Sequence, residues 1–169
     1  MKIREKYNIE DVVNIGFYET SFLSNSCLGL VQKSAVGGRI KFYENEEVYN
    51  KVEQKGMSAG NYIPNVDELM DGINVTFDNK IKIKTYEENI SNEEFKTFLN
   101  VLFNYKIGFI EKGYYDSKKF EGADWKFNIK FKDGTNLKVT GFHDEPEELM
   151  NIRKLFNIYG CKFNIPMEY

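Results

Sequence analysis

The sequence has a single histidine, His143, which stands beside two carboxylates, Asp144 and Glu145. These residue types could together bind a metal ion or supply a general base. A zinc site, however, needs two or more His or Cys ligands in register, and neighbouring residues on an extended segment point in opposite directions. We therefore interpret His143 as a solvated loop residue. The sequence predicts a protein that is not an enzyme and has no metal ion, no cofactor and no catalytic residues, and a lost activity in His143→Ala would revive a hydrolase hypothesis.

Two other patterns that could indicate a functional site also do not match the motif they resemble. Residues 29–34 read G-L-V-Q-K-S and lack the second glycine that a phosphate-binding loop places before its lysine. The acidic pairs 87–88 and 147–148 stand at expected helix starts, where the helix dipole favours negative charge. Helix capping accounts for both pairs, and a glycosidase pair is not indicated.

Lysines recur at positions expected to face solvent in two predicted hairpins. They are Lys80, Lys82, Lys84, Lys126, Lys130, Lys132 and Lys138. One interpretation is ordinary protection of exposed strands against edge-to-edge pairing. The other is docking onto an acidic surface, either a protein or a nucleic-acid backbone. Only Asn74 and Asn128 lie between these lysines, so the face lacks the aromatic side chains on which single-stranded nucleic acids stack, which favours a protein partner.

The long loop 56–65 is a second candidate surface, because long ordered loops often carry function. Its candidate contact is Tyr62, since buried aromatic side chains dominate interface energetics. The predicted partner-binding residues are Lys126, Lys130, Lys132, Lys138, Lys82, Lys84 and Tyr62. We expect that reversal of Lys126, Lys130 and Lys138 to Glu weakens partner binding and leaves the fold intact, because all three are predicted to face water.

The clearest structural pattern runs over residues 125–159. Four apolar residues alternate there with polar ones, which predicts a strand with one buried face: Trp125, Phe127, Ile129 and Phe131. The register of the returning strand then requires a three-residue turn at 132–134, with its glycine in the left-handed region. That register puts Leu137 opposite Ile129, and it puts Gly141 opposite Trp125, where a missing side chain leaves room for the indole.

A helix is predicted over 144–159, with Asp144 as N-cap and Glu147 completing a capping box. Gly160 ends this helix, and the alternation over 161–165 predicts a short last strand. The same order of patterns occurs earlier in the chain: alternation over 73–83 predicts a hairpin, and a capping box precedes a helix over 91–105. We therefore predict two hairpin-helix-strand units, about 73–110 and 125–165, after an N-terminal β-rich segment.

The predicted fold class is α+β, with an antiparallel β-sheet of hairpins and two main helices packed on one face. A chain of 169 residues fits a single domain, 1–169, that buries roughly 70% of its unfolded surface. Cys27 and Cys161 are too few for a disulfide scaffold, and we interpret them as reduced thiols of a cytoplasmic protein. No apolar run approaches the ~20 residues of a membrane span. We therefore expect a protein that is not associated with a membrane.

One stretch carries a resemblance. Its residues follow the pattern W-x-x-x-I-x-F-x-D-G and then G-x-x-x-x-P: Trp125, Ile129, Phe131, Asp133, Gly134, Gly141 and Pro146. Residues 125–146 thus resemble small uncharacterised bacterial domains with a hairpin-helix pattern. The resemblance implies a fold and no activity, because the residues of the pattern are structural.

The net charge of -3 is too small to direct binding through the overall field, so any partner must recognise a local surface. Aromatic residues make up 15% of the chain, which is more than a core requires and puts some of the 11 tyrosines on the surface. These features favour a small non-catalytic binding protein that occupies a partner protein's surface. Inhibitors and immunity proteins act in this way, and a phage-encoded inhibitor of a host defence complex is one form of it. The alternative is nucleic-acid binding through the lysine-rich sheet face.

Overall fold

The computed structural model of the chain describes residues 6–20, 26–45, 63–77, 82–112, 114–116, 124–142 and 145–165. These residues form seven strands: β1 (Val12–Thr20), β2 (Ser26–Ser34), β3 (Gly37–Asn45), β4 (Ile83–Ser91), β5 (Tyr114–Asp116), β6 (Asp124–Phe131) and β7 (Asn136–Phe142). They also form three α-helices: α1 (Val66–Met70), α2 (Asn92–Asn104) and α3 (Glu148–Ile158). Short 3-10 helices lie at Ile9–Asp11 and Gly108–Lys112.

All seven strands belong to one sheet, in the order β4-β3-β2-β1-β6-β7-β5. Neighbouring strands are antiparallel except for β5 and β7, which are parallel. The predicted α+β class, with hairpins in an antiparallel sheet, is therefore confirmed. β1 is a central strand, so the N-terminal β-rich segment forms the middle of the sheet and is not an appendage to it.

The two faces of the sheet are covered differently. On the helix face, α2 and α3 pack against a large core that includes Phe17, Phe98, Trp125, Phe127 and Phe156. On the opposite face, which we name the α1 face, the short α1 packs over a smaller cluster. The members of this cluster are Tyr18, Leu28, Leu30, Ile63, Val66, Leu69 and Met70.

The β6-β7 hairpin has the register that the sequence predicts. The observed pairs are Trp125 with Gly141, Phe127 with Val139, and Ile129 with Leu137. The turn is closed by the Phe131 N–H, which donates to the Thr135 carbonyl at 2.9 Å. Gly134 has φ 88°, in the left-handed region that a three-residue turn requires.

Helix α2 is confirmed together with its N-terminal cap. The Ser91 hydroxyl accepts from the Glu94 N–H at 3.0 Å, and the Glu94 carboxylate accepts from the Ser91 N–H at 3.3 Å. This reciprocal pair is the capping box that the sequence predicts. Helix α3, however, begins at Glu148 and not at the predicted Asp144. Its N-cap is Glu147, which makes no side-chain capping bond, so the predicted helix start is wrong. The side-chain bonds of the predicted capping box involve Asp144, which lies outside the described residues.

The predicted repeat of two hairpin-helix-strand units is also wrong. Residues 73–77 form no strand, and β4 pairs along its whole length with β3. Residues 161–165 form no strand either, and Gly108–Lys112 is a 3-10 helix where a strand was expected. The acidic pair 87–88, assigned to a helix start from the sequence, lies inside β4. Apolar and polar residues do alternate over 73–83 and 161–165. Alternation alone, however, does not identify the strand with which a segment pairs.

Several predictions concern residues outside the described part of the chain. They are Lys80, Tyr62, the loop residues 56–62, the ambiguous segment 46–54, His143 and the N-cap Asp144.

Candidate protein-interaction surface

The lysines of β6 and β7 do lie together, on the α1 face of the sheet. Their ammonium groups, however, contact acidic and carbonyl groups of the segment that contains α1. Lys126 Nζ is 3.1 Å from Asp67 Oδ1, and Lys138 Nζ is 3.2 Å from Asp71 Oδ1. Lys130 Nζ donates to the Asp71 carbonyl at 2.9 Å. The surface predicted to be open to a partner is thus occupied in part by an acidic segment of the same chain.

The other predicted lysines do not join this group. Lys132 is in the β6-β7 turn, where its Nζ is 4.0 Å from Asp11 Oδ1. Lys82 and Lys84 are exposed at β4, which is the opposite end of the sheet from β7 and β5. Lys84 lies across from Glu44 in β3. Its side chain is on the helix face, because side chains alternate along a strand and Lys84 is six residues before the core residue Ile90. The prediction of one continuous lysine face is therefore wrong.

Buried amides explain how α1 is held on a polar part of the sheet. The Nδ2 groups of Asn14 and Asn128 both donate to the Met70 carbonyl, at the end of α1. Asn128 Nδ2 also lies 3.1 Å from Asn136 Oδ1, and Asn136 Nδ2 donates to Asp71 Oδ1 at 2.8 Å. Within the described residues the Oδ1 atoms of Asn14 and Asn128 have no hydrogen-bond partner. Asn128, predicted to face solvent, is instead 1% exposed.

β4 is the most exposed of the strands whose burial is fully described, and it is not among the surfaces predicted from the sequence. It is nine residues long, and its six central residues, 84–89, are all exposed. Among the described residues no strand lies beyond it, and we name this side of β4 the open edge. The sequence did contain a signal, because Ile83 and Ile90 enclose only polar residues and one tyrosine, a pattern typical of an edge strand.

The register shows which backbone groups point to the open edge. β2 and β3 are joined by a two-residue turn, so Ser34 and Gly37 form a hydrogen-bonded pair. Bonding direction alternates along a strand, so the odd residues of β3 bond to β2 and its even residues bond to β4. In β4 the even residues are therefore bonded to β3. The N–H and C=O groups of Thr85, Glu87 and Asn89 point outward.

The side chains along this edge differ between the two faces. On the helix face the Tyr86 hydroxyl donates to the Glu88 carboxylate, and this hydrogen bond raises the pKa of Tyr86 above its ordinary value. The Tyr86 ring lies against Gly160, where an added Cβ would be 2.9 Å from the ring. Ile158, two residues earlier at the end of α3, is 77% exposed. On the α1 face Arg39 Nε is 3.1 Å from Glu87 Oε1.

A second group of charged side chains, Arg153 with Glu19 and Glu145, connects α3 to the sheet. Arg153 of α3 donates through Nε to Glu19 of β1 at 2.9 Å and through Nη1 to Glu145 at 3.0 Å. Burial raises the pKa of Glu19, although the charge of Arg153 opposes the shift. Burial alone would lower the pKa of Arg153, but the bonds and charges of Glu145 and Glu19 raise it above the ordinary value. Because Arg153 is 3% exposed and Glu19 is 8% exposed, their ion pair offers little surface to a ligand.

Among the described residues no group of three or more His, Cys, Asp or Glu side chains is placed to hold a metal ion. None of the helices formed by these residues is long and apolar enough to cross a membrane. Comparisons with protein-family models, curated proteins and solved structures gave no match.

Proposed function

We propose that the protein is a small non-catalytic binding protein that acts by occupying the surface of a partner protein, as inhibitors and immunity proteins do. The observation that carries the proposal is the open edge of β4. It offers outward N–H and C=O groups from Thr85, Glu87 and Asn89 beside exposed side chains on both faces. An extended segment of a partner protein can add to such an edge as a further strand, with main-chain hydrogen bonds supplying affinity.

The side chains around the edge supply specificity in this proposal. Tyr86 presents an aromatic ring on the helix face, while Arg39 and Glu87 present charge on the other face. A partner strand therefore meets an aromatic side chain and paired charges on opposite sides of its backbone. This arrangement favours one strand direction and register over others.

Nucleic-acid binding through the lysines has less support. Lys126 and Lys138 have carboxylates within 3.2 Å, and Lys130 is bonded to a carbonyl of the same segment. Phosphate binding requires these ammonium groups to exchange intramolecular partners for the nucleic acid, which lowers the gain from counterion release. The lysines are better explained as the docking site of α1.

The test is capture of partners from the native host on three forms of the immobilised full chain: the parent protein, Glu87→Pro and Glu87→Ala. Both variants lose the carboxylate and its ion pair with Arg39. Only proline also removes the outward N–H, and it leaves the bonding of the even residues to β3 in place. We expect the parent chain to recover a stoichiometric protein, Glu87→Ala to recover less of it because the charge is lost, and Glu87→Pro to recover none because the main-chain hydrogen bond is lost as well.

Thr85→Pro and Thr85→Ala repeat the comparison at a second outward position, in case one proline variant fails to fold. Circular dichroism of each purified variant separates loss of binding from loss of fold. Recovery of no stoichiometric protein, or equal recovery with folded proline and alanine variants, contradicts the proposal. Capture of nucleic acid in place of protein, with an affinity that falls steeply with salt, would support the alternative.

A further inference from the structure

We infer that the open edge of β4 is also occupied by a second copy of this chain, so that two β4 strands pair antiparallel around a two-fold axis at Tyr86. The inference rests on the same edge as the proposed function and names one occupant of it. A long uncovered edge strand is a template for uncontrolled pairing, and a closed two-fold dimer removes both edges at once.

The backbone geometry limits the register of such a dimer. Outward groups come from odd residues, so an odd residue must face an odd residue across the interface. With Tyr86 on the axis, Thr85 faces Glu87 of the second copy, and Ile83 faces Asn89. Every outward N–H and C=O group between these positions is then used. The Tyr86 pair itself is of the non-hydrogen-bonded type, in which side chains approach most closely.

The side chains favour this register over the one with its axis on Glu87. On the helix face it places Lys84 opposite Glu88 of the second copy twice, once on each side of the axis, with the two Tyr86 rings between these charge pairs. Shifting the axis by one residue to Glu87 would put two Glu87 carboxylates opposite each other. The strand 84–88 reads K-T-Y-E-E and is therefore complementary to itself in one antiparallel register.

Surrounding contacts are compatible with this arrangement. Tyr86 is 39% exposed, so its ring has surface available on the face where the two tyrosines meet. Lys84 lies opposite Glu44 within its own sheet, but an ammonium group has three N–H donors and can serve a second carboxylate. Because the dimer uses the edge proposed for the partner protein, the partner and the second copy compete for it.

The first test is sedimentation velocity of the full chain over a wide concentration range. We expect the parent protein and Glu87→Ala to approach twice the chain mass of 19.8 kDa, and Glu87→Pro to remain at the chain mass. A parent protein that stays monomeric overturns the dimer but leaves the proposed function standing if the capture experiment succeeds. A folded Glu87→Pro variant that dimerises like Glu87→Ala also overturns it.

The second test addresses the register through charge reversal. Lys84→Glu and Glu88→Lys each place like charges opposite each other twice per dimer, and each should raise the dissociation constant about tenfold. The double variant Lys84→Glu with Glu88→Lys restores opposite charges and should return the dissociation constant to within about threefold of the parent value. A double variant that dimerises more weakly than either single variant overturns the inference. Urea denaturation of each variant checks that the monomer fold is unchanged.

Discussion

Gly141 is constrained by the indole across the hairpin. A Cβ atom at this position would lie 1.9 Å from Trp125 Cε2, and Trp125 is fully buried with Phe109 packed edge-on at 5.9 Å. Gly141→Ala is therefore expected to lower the free energy of unfolding by about 3 kcal/mol, because a well-packed core has no space to receive the displaced ring. Urea denaturation followed by circular dichroism measures this change.

Gly134 provides the matched control. It has φ 88° but no atom within 4 Å of an added Cβ, so Gly134→Ala should cost only the conformational strain of about 1 kcal/mol. Replacement of Trp125 by Phe in the Gly141→Ala background should recover part of the loss, because the smaller ring leaves room for the methyl group. Equal effects of the two glycine substitutions would contradict this assignment of the clash.

Cys161 makes stability depend on alkaline pH. Burial raises the pKa of this thiol from 9.0 to about 12. The folded state therefore holds its proton more tightly than the unfolded state. The resulting stabilisation is complete below pH 9.0 and is lost as the pH rises toward about 12.

Comparison with Cys161→Ala isolates this effect, because the tyrosines that also titrate in this range are common to both proteins. We expect the free energy of unfolding of the parent protein to fall more steeply than that of the variant above pH 9.0, by at most about 1.4 kcal/mol per pH unit. Parallel curves would show that the Cys161 thiolate is no less favourable in the folded state than in the unfolded state.

At the scale of an element, α1 is held on the sheet by Asp71, which follows its last residue. The Asp71 carboxylate accepts from Asn136 at 2.8 Å and pairs with Lys138 at 3.2 Å. Asp71→Ala should lower the free energy of unfolding by about 1–2 kcal/mol, since it leaves the Asn136 amide without this acceptor. Glu68→Ala, at an exposed position of the same helix, is the control and should change stability by less than about 0.5 kcal/mol.

Charge reversal of the lysines probes the same element from the sheet side. The sequence suggested that Lys126, Lys130 and Lys138 could be reversed to Glu without effect on the fold. In the structure two of these changes place carboxylates against Asp67 and Asp71. The triple variant should therefore expose amides in and around α1 to faster hydrogen exchange, whereas Lys132→Glu, in the turn, should not. Unchanged exchange in the triple variant would contradict a docking role for these lysines.

At the scale of the whole molecule, Arg153 links the helix layer, the centre of the sheet and the connection before α3. Arg153→Met leaves Glu19 buried without its counter-ion and should lower the free energy of unfolding by about 3–5 kcal/mol at neutral pH. The loss should shrink as the pH falls, because protonation then removes the unpaired negative charge. Denaturation of Arg153→Met and of Arg153→Met with Glu19→Gln measures both effects. The double variant should recover most of the loss, and equal stabilities of the two variants would contradict the account.

The sequence by itself determined the features whose causes lie within a few residues. The β6-β7 register follows from alternation and from a turn that needs a left-handed glycine, both contained in residues 125–141. The start of α2 follows from Ser91 and Glu94, which satisfy each other's backbone groups. In the same way the α+β class follows from the kinds of pattern present, whatever their arrangement in space.

Only the tertiary structure decided which segments meet. The alternation around Ile83 fits pairing with 73–77 or with β3 equally well, and the choice depends on contacts with residues far away in the chain. The lysines of β6 and β7 appear solvent-facing from periodicity, because nothing near them in sequence indicates that Asp67 and Asp71 will cover them. For the same reason the open edge of β4 became visible only with the strand order. The polar run between Ile83 and Ile90 is typical of an edge strand, but only the pairing of the described strands shows that β4 is the last strand in the order.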